Sequence, residues 1–528
     1  IVESSHHRLP RKENDVMHRL ASCPGIDPPE DVVLVEQPPA DVLLLSSAGT
    51  DLSCLEAVVQ ASPDWSSRIR ALHLDNLGHP AQLDHYLAST ATQARLIVVR
   101  LLGSRGHWSY GLEQLQRWSD ECADRQLLVL AGTVDQQVDL HGIGTVVPAL
   151  ADRLAALLRE GGETNMARLL DAIQALLNGT PPDSEEIEVV PLADPFPWDW
   201  QDDPGSTVGV VLYRAQLQAG DTALAQQLNQ ALRERGLRPR LIWVSSLRDP
   251  AVQAGVLDLL RSQGAQVVIT GTAFASVSTE QAGLGSALWD NLDRPVLQLL
   301  TASTSRERWL ESSRGLEPLD LSLQVVMPEL DARVTTRPCA FRQARPPLGG
   351  LATAITTQQP DLDGINWLVE HAACWIDLQD TPAEHRRVAM VLANYPVRDG
   401  RVANGVGLDT PASVVNIIGW LADAGYQLGE HPKPSNGDRL IASLLAGRTN
   451  SAEGRHRQPL DHLPLETYQA WWDTIPNEAK ERIVSRWGEP QLACDLDGER
   501  GFAIHGLRYG HLVVLLQPDR GYDPDQIA

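Results

Sequence analysis

The sequence predicts an α/β protein of several domains, built on successive doubly wound parallel sheets. Three observations carry that expectation. Apolar runs of strand length recur along the chain, they are nearly continuous rather than alternating, and amphipathic helical stretches separate them. A strand covered on both faces needs such a run, and parallel neighbours need a crossover between them. The 528 residues leave room for several such units, since domains average about 150 residues.

Taken in order, Ile1 to Val16 is polar and unpatterned, and reads as a disordered leader (1–16) ahead of a natural start at Met17. His6 and His7 are then tail residues. Residues 17–178 form the first expected α/β domain. Its strands are "DVLLLSS" (41–47), "IRALHLD" (69–75), "RLIVVRLL" (95–102) and "LLVLAG" (127–132), with a helix over 109–125. Segment 179–206 is rich in Pro and acid and reads as a linker, with Trp198 and Trp200 packing on a neighbour. Residues 207–345 hold a second βαβαβ run: "TVGVVLYR", then a helix that Asp221 should cap and Gly236 should stop, then "PRLIWVSS" and "AQVVITGTAFA". This pattern is flavodoxin-like, so ligands are expected beyond the carboxyl ends of its strands. Tyr213 and Arg214 occupy such an end, with an interdomain Arg–Glu contact as the rival role.

Residues 346–528 form the third region. "VAMVLANY" is a strand, 396–408 a Gly-rich loop, and Asp409 or Thr410 caps a helix with Pro411 near its first position. A dinucleotide loop would need GxGxxG directly after the strand, and Gly400, Gly405 and Gly407 come too late. Asn394, Asn404 and Asp409 can bond the loop's own backbone or face a ligand. The end of the chain reads as a hairpin, "FAIHGLRYGHLVVLLQPDRGYDPD".

A net charge of −24 argues against a nucleic-acid or anionic-membrane partner. The six cysteines include no CxxC pair, which disfavours a disulfide framework or a structural zinc site and favours reduced, mostly buried thiols in the cytoplasm. His73, His79 and His85, six apart, match no metal-ligand spacing and are expected at the surface. The chain has three lysines, Lys12, Lys433 and Lys480, and none follows a glycine. A phosphate-binding loop of the Gly-Lys-Ser/Thr type is therefore missing.

Three long stretches go beyond a generic α/β pattern: "LYRAQLQAGDTALAQQLNQALRERGLRP" (212–239), "NYPVRDGRVANGVGLDTPASVV" (394–415) and "HGLRYGHLVVLLQPDRGYDPD" (505–525). With "RLIVVRLLGSRGHWSYGLEQL" (95–115) and "PELDARVTTRP" (328–338), they resemble the CobN family, the large subunit of aerobic cobaltochelatase, from Met17 to Ala528. That family is related to the H subunit of magnesium chelatase. The resemblance implies a subunit that holds a tetrapyrrole, hydrogenobyrinic acid a,c-diamide, into which cobalt(II) is inserted for cobalamin synthesis. It also implies partners: an AAA+ motor subunit and its companion, which handle ATP. By resemblance the ring contacts fall on His505, Arg508, Gln517, Arg520 and Tyr522, and on the loop bearing Asn394, Tyr395, Asn404 and Asp409. A strand pair satisfying its own polar groups is the competing reading for the tail residues. No fixed metal ligands and no catalytic residues emerge. Family members continue past "GYDPD" into a His- and Glu-bearing stretch, so the resemblance implies either an amino-terminal portion, with a truncated chelatase domain, or one piece of a split subunit. Chelation by this portion alone is not expected. Two rivals stay open: a magnesium chelatase H-like protein, and a non-catalytic corrinoid-binding fragment.

With no lysine placed for a nucleotide phosphate, the purified chain should release no phosphate from ATP above a no-enzyme control. Sustained turnover by the chain alone would contradict that expectation.

Overall fold

A computed structural model describes residues 33–276, 287–346, 350–394, 399–454, 456–493 and 501–518. The chain forms two compact units, residues 1–376 and 377–528.

The first unit holds one parallel sheet and one mixed sheet whose five central strands are parallel. In one, β1 (Val42–Ser46), β2 (Ile69–His73), β3 (Leu96–Leu101) and β4 (Gln126–Ala131) stand in the order β2-β1-β3-β4. Successive side chains alternate between faces, and both faces are covered. Leu44, Val98 and Leu128 pack on the helices Gly49–Ala61, Pro148–Glu160 and Glu163–Leu177. Leu43, Ile97 and Leu127 pack on Pro80–Ser89 and Ser109–Asp120. The spaced histidines serve locally. His79 caps the helix Pro80–Ser89, its Nδ1 accepting from the Ala81 N–H at 3.1 Å, and His85 reaches Glu36 at 2.8 Å.

The other sheet carries seven strands. The segment expected as a linker contributes one of them, β5 (Phe196–Trp198), antiparallel to β7. Trp198 stands edge-on to Trp243 at 5.7 Å, and Trp200 Nε1 donates to the Leu241 carbonyl at 2.9 Å. The parallel strands β6 (Thr207–Tyr213), β7 (Arg238–Val244), β8 (Val267–Thr270), β9 (Val296–Ala302) and β10 (Val334–Arg345) run 2-1-3-4-5 in chain order. Beyond Arg345 the chain stays with this sheet: β11 (Ile355–Pro360) pairs antiparallel with β10, and the helix Leu362–Asp380 packs on its core. Asp221 does not cap the following helix, Ala223–Glu234. Its Oδ2 instead accepts the Gln358 N–H of β11 at 3.0 Å, because the chain returns alongside it. Gly236, at φ 81°, ends that helix as expected. Gln37 and the ion pair of Arg345 with the buried Glu56 fasten the two sheets together.

The second unit is built on β12 (Val388–Leu392), β13 (Asp461–Pro464), β14 (Gly501–Ile504), β15 (Gly506–Tyr509) and β16 (Leu512–Leu516). β16 lies between β12, parallel to it, and β15, its hairpin partner, while β13 pairs with β14. Val388, Met390, Leu512, Val514 and Tyr509 pack on the helices Thr410–Asp423 and Gly437–Ala446. Asp409 is the N-cap of the former, accepting from the Ala412 N–H at 3.1 Å. On the opposite face, among the described residues, Val391 is 60% exposed.

Cys54, Cys122, Cys339 and Cys374 are free thiols. Cys54 and Cys339 are buried, and burial pushes both up to about 12. Cys122 and Cys374 are exposed, so the expectation of buried thiols holds for two of these four. Among the described residues no helix is long and apolar enough to cross a membrane.

Two glycines in helices test the packing in opposite senses. A Cβ on Gly364 would meet the Pro338 carbonyl oxygen at 2.0 Å, whereas one on the exposed Gly419 would meet nothing within 4 Å. Gly364→Ala should cost about 1–3 kcal/mol in urea unfolding. Gly419→Ala should be neutral or stabilising by up to ~1 kcal/mol.

Candidate functional site

Polar groups gather where the strands end. In the second unit, Gln517 N–H donates to the Leu392 carbonyl at 2.9 Å and Leu516 N–H to the His505 carbonyl at 2.9 Å, which brings His505, Gln517 and the end of β12 together. Asn450, in the loop after the helix Gly437–Ala446, links them. Its Oδ1 lies 2.9 Å from His505 Nδ1, and its Nδ2 donates to the Gln517 carbonyl at 2.7 Å. The Asn450 carbonyl can only accept, so His505 Nδ1 carries the proton and Nε2 is the basic nitrogen. Two residues beyond β12, Asn394 is 4% exposed, and its Oδ1 accepts no hydrogen bond from the described residues. Buried polar atoms are nearly always paired, so Asn394 is a position where a ligand donor would find an acceptor. The neighbouring loop is internally braced: Thr449 Oγ1 donates to Asp399 Oδ1 at 2.7 Å, and Arg457 reaches the other oxygen of Asp399 at 3.4 Å.

The other sequence-predicted residues are dispersed. Leu507 and Tyr509 face the core, so the strand alternation turns Arg508 to the open face. There it lies beside a shallow groove of about 410 Å³ with Arg387 and His511. Its Nη2 meets Asp461 at 3.3 Å, and both side chains are more than half exposed. Asn404 is exposed and Asp409 is engaged as a cap. Tyr395, Arg520 and Tyr522 lie outside the described residues. In the first unit, Tyr213 OH donates to the Ala273 carbonyl at 2.8 Å, and burial raises its pKa. Arg214 braces the 192–194 segment: Nη1 donates to the Leu192 carbonyl at 3.1 Å and stands 3.9 Å from Asp194 and 4.0 Å from Glu160.

Sequence reading missed the most deeply buried charges. Asp331 and Arg333, both fully buried, form an ion pair at 2.6 Å just before β10. Arg333 Nη1 also donates to the Thr272 carbonyl at 2.9 Å and to Gln298 Oε1 at 3.1 Å, while the Ser276 N–H donates to Asp331 at 2.7 Å. Burial lowers the pKa of this guanidinium. The pair ties the segment just after β8, at Thr272, and the amino-terminal half of β9, at Gln298, to the start of β10. Its only sequence signal was an acid and a base two apart, "DAR", at the mouth of an otherwise buried strand. Among the described residues, no three His, Cys, Asp or Glu side chains stand where they could hold a metal ion.

The family described as CobN/Magnesium Chelatase matches residues 155–528. The aerobic cobaltochelatase subunit CobN of Sinorhizobium sp is 34% identical over 535 residues, covering 96% of this chain and 41% of the relative. The subunit of the same name from Pseudomonas aeruginosa is 33% identical, covering 97% of this chain and 41% of the relative. The structure of the catalytic subunit of cobaltochelatase from Mycobacterium tuberculosis superposes with a TM-score of 0.63 at 26% identity, over 92% of this chain and 39% of that one. The chain thus spans about two fifths of the length of these relatives.

Removing one member of the buried pair leaves the other charge unpaired in the core. Arg333→Met should cost about 3–5 kcal/mol in equilibrium unfolding, and Arg333→Met with Asp331→Leu considerably less than the sum of the two single changes. Additive single effects would show that the two side chains do not act as a pair.

Proposed function

The chain belongs to the CobN/magnesium chelatase family, and from that premise we propose that it is part of the tetrapyrrole-holding subunit of an aerobic cobaltochelatase. The reaction exchanges two ring N–H protons of hydrogenobyrinic acid a,c-diamide for cobalt(II), the metal being substrate rather than resident cofactor. ATP would be spent by a separate AAA+ motor and its companion subunit, in keeping with the missing Gly-Lys-Ser/Thr loop. Identity to CobN subunits over nearly the whole chain favours cobalt over the magnesium reading. We place the subunit in the cytoplasm and read both sheets of the first unit as flavodoxin-like. The 2-1-3-4-5 order of the second sheet supports that reading there.

The observation that supports the role best is the His505–Asn450–Gln517 set at a strand end, within the residues that match the family. A macrocycle losing N–H protons needs a base and polar groups that hold its rim. His505, its tautomer fixed by Asn450, offers Nε2 as a proton acceptor. Asn394 Oδ1 and the Gln517 side chain suit ring amides, and Arg508 suits a ring carboxylate through charge-assisted bonds. Asp409, Asn404, Tyr213 and Arg214 are given supporting roles, because a cap, an exposed loop position and two local braces describe their settings.

Titration of the chain with hydrogenobyrinic acid a,c-diamide, followed by quenching of tryptophan fluorescence, tests the reading. Arg508→Ala removes a bond to a charged group worth about 1.5–3 kcal/mol, so affinity should fall roughly 10- to 150-fold. Unfolding stability should move by less than about 1 kcal/mol, because the pair with Asp461 is exposed. Equal dissociation constants for the two proteins would remove Arg508 from the ring site. No binding by the wild-type chain would mean that these residues do not hold the ring by themselves.

A further inference from the structure

The β12-β16-β15 sheet carries a cationic groove on the face turned away from its helices. Val388 and Met390 of β12 and Leu512 and Val514 of β16 pack on the helix side. Alternation therefore turns Ala389 and Val513 to the other face. Ala389 and Arg508 stand opposite Val513 from its two sides, so one row of side chains crosses all three strands. This row lines, with Arg387 and His511, the groove of about 410 Å³. That volume falls within the roughly 300–1,000 Å³ of small-molecule sites. The floor, Ala389 and Val513, is apolar.

Two guanidiniums border that floor. Arg387 is exposed, and among the described residues it makes no hydrogen bond and no ion pair. Arg508 meets Asp461 at 3.3 Å, with both side chains more than half in water, so a ligand can displace that contact at little cost. β12 and β15 lie two strand spacings apart, roughly 10 Å. The two arginines can therefore take two anionic groups of one molecule rather than a single small ion. Glu384 approaches His511 through its carbonyl, which accepts from Nδ1 at 2.9 Å, while its exposed carboxylate stands 3.9 Å from His385. Arg386 is directed to the Tyr426 hydroxyl, at 3.3 Å. A chain of net charge −24 repels an anion at long range, so an anionic ligand needs a local cationic surface of this kind.

An apolar floor with cations at its border is complementary to a flat apolar molecule that carries carboxylates on its rim. We propose, resting on the tetrapyrrole reading, that the groove takes free side-chain carboxylates of the ring on Arg387 and Arg508. Arg387 thereby selects an acid over an amide or ester at that edge of the ring. Its planar fork bonds a carboxylate through two parallel N–H groups, and a neutral group offers no charge to meet it.

Tryptophan-fluorescence titration of the 528-residue chain compares hydrogenobyrinic acid a,c-diamide with its methyl ester, in which every free carboxyl group is blocked. Wild type should bind the acid at least about tenfold more tightly than the ester. Arg387→Gln should weaken the acid about tenfold, the loss of one charge-assisted bond, and leave the ester within about twofold. Arg387→Lys, which keeps the charge and loses the fork, should fall between wild type and Arg387→Gln. The melting temperature of Arg387→Gln should match wild type, because an exposed side chain without a bond has none to lose. Unchanged affinity of Arg387→Gln for the acid, or equal losses for acid and ester, overturns the role of Arg387 and leaves the tetrapyrrole reading standing. So does a wild-type chain that binds the ester as tightly as the acid. Binding of neither form by wild type overturns the tetrapyrrole reading itself, and the groove's role with it.

Discussion

The first unit depends on one constraint: a parallel sheet covered on both faces has no wet side. Leu43, Leu44 and Leu45 of β1 are all fully buried, as are Val208, Val210, Val211 and Leu212 of β6. Within such a slab an unpaired charge would cost far more than any contact could return. Polar chemistry is therefore displaced to the margins. Arg100 is the penultimate residue of β3, and Arg333 immediately precedes β10. Each is matched by an aspartate, Asp51 for Arg100 and Asp331 for Arg333, and Arg333 also donates to the Thr272 carbonyl and hydroxyl. The sheets make rigid frames, and the loops at their rims carry whatever recognition the unit performs.

The strands of these sheets were legible because an unbroken aliphatic run has few other stable destinations. The edge strands were not. β5 is three residues long within a Pro- and acid-rich stretch, and β11, "ITTQQP", carries four polar residues in six. Both are held by a neighbour's free hydrogen-bonding edge rather than by their own pattern. Asp221 shows the same limit: a good capping residue was claimed by Gln358, 137 positions away.

The tail residues divide along a similar line. Asp409 was legible as a cap because Asp, Thr and Pro sit in the right local order. Asn450 had no signal, since its partners His505 and Gln517 are 55 and 67 residues distant. His505 and Arg508 have different partners, Asn450 and Asp461, because His505 is the junction at which the chain leaves β14 and enters another sheet as β15. Motif membership carried no sign of that change of sheet. Asp331 and Arg333 were lost for the converse reason: two residues within one short motif gained meaning only when the strand order set Thr272 and Gln298 beside them.

Among the described residues, the apolar packing of the β12-β16-β15 sheet lies on one face, and this sets the two units apart energetically. Each sheet of the first unit is sandwiched, whereas this one has apolar packing on a single side and leaves Val391 largely in water. Fewer buried contacts per backbone hydrogen bond mean a smaller free energy of local opening. The amides of β12 and β15 therefore belong to a shallower cooperative layer than those of β1 or β6. The residues gathered around His505 sit on the part of the chain that yields first, so they can rearrange while the double-sheet frame stays folded.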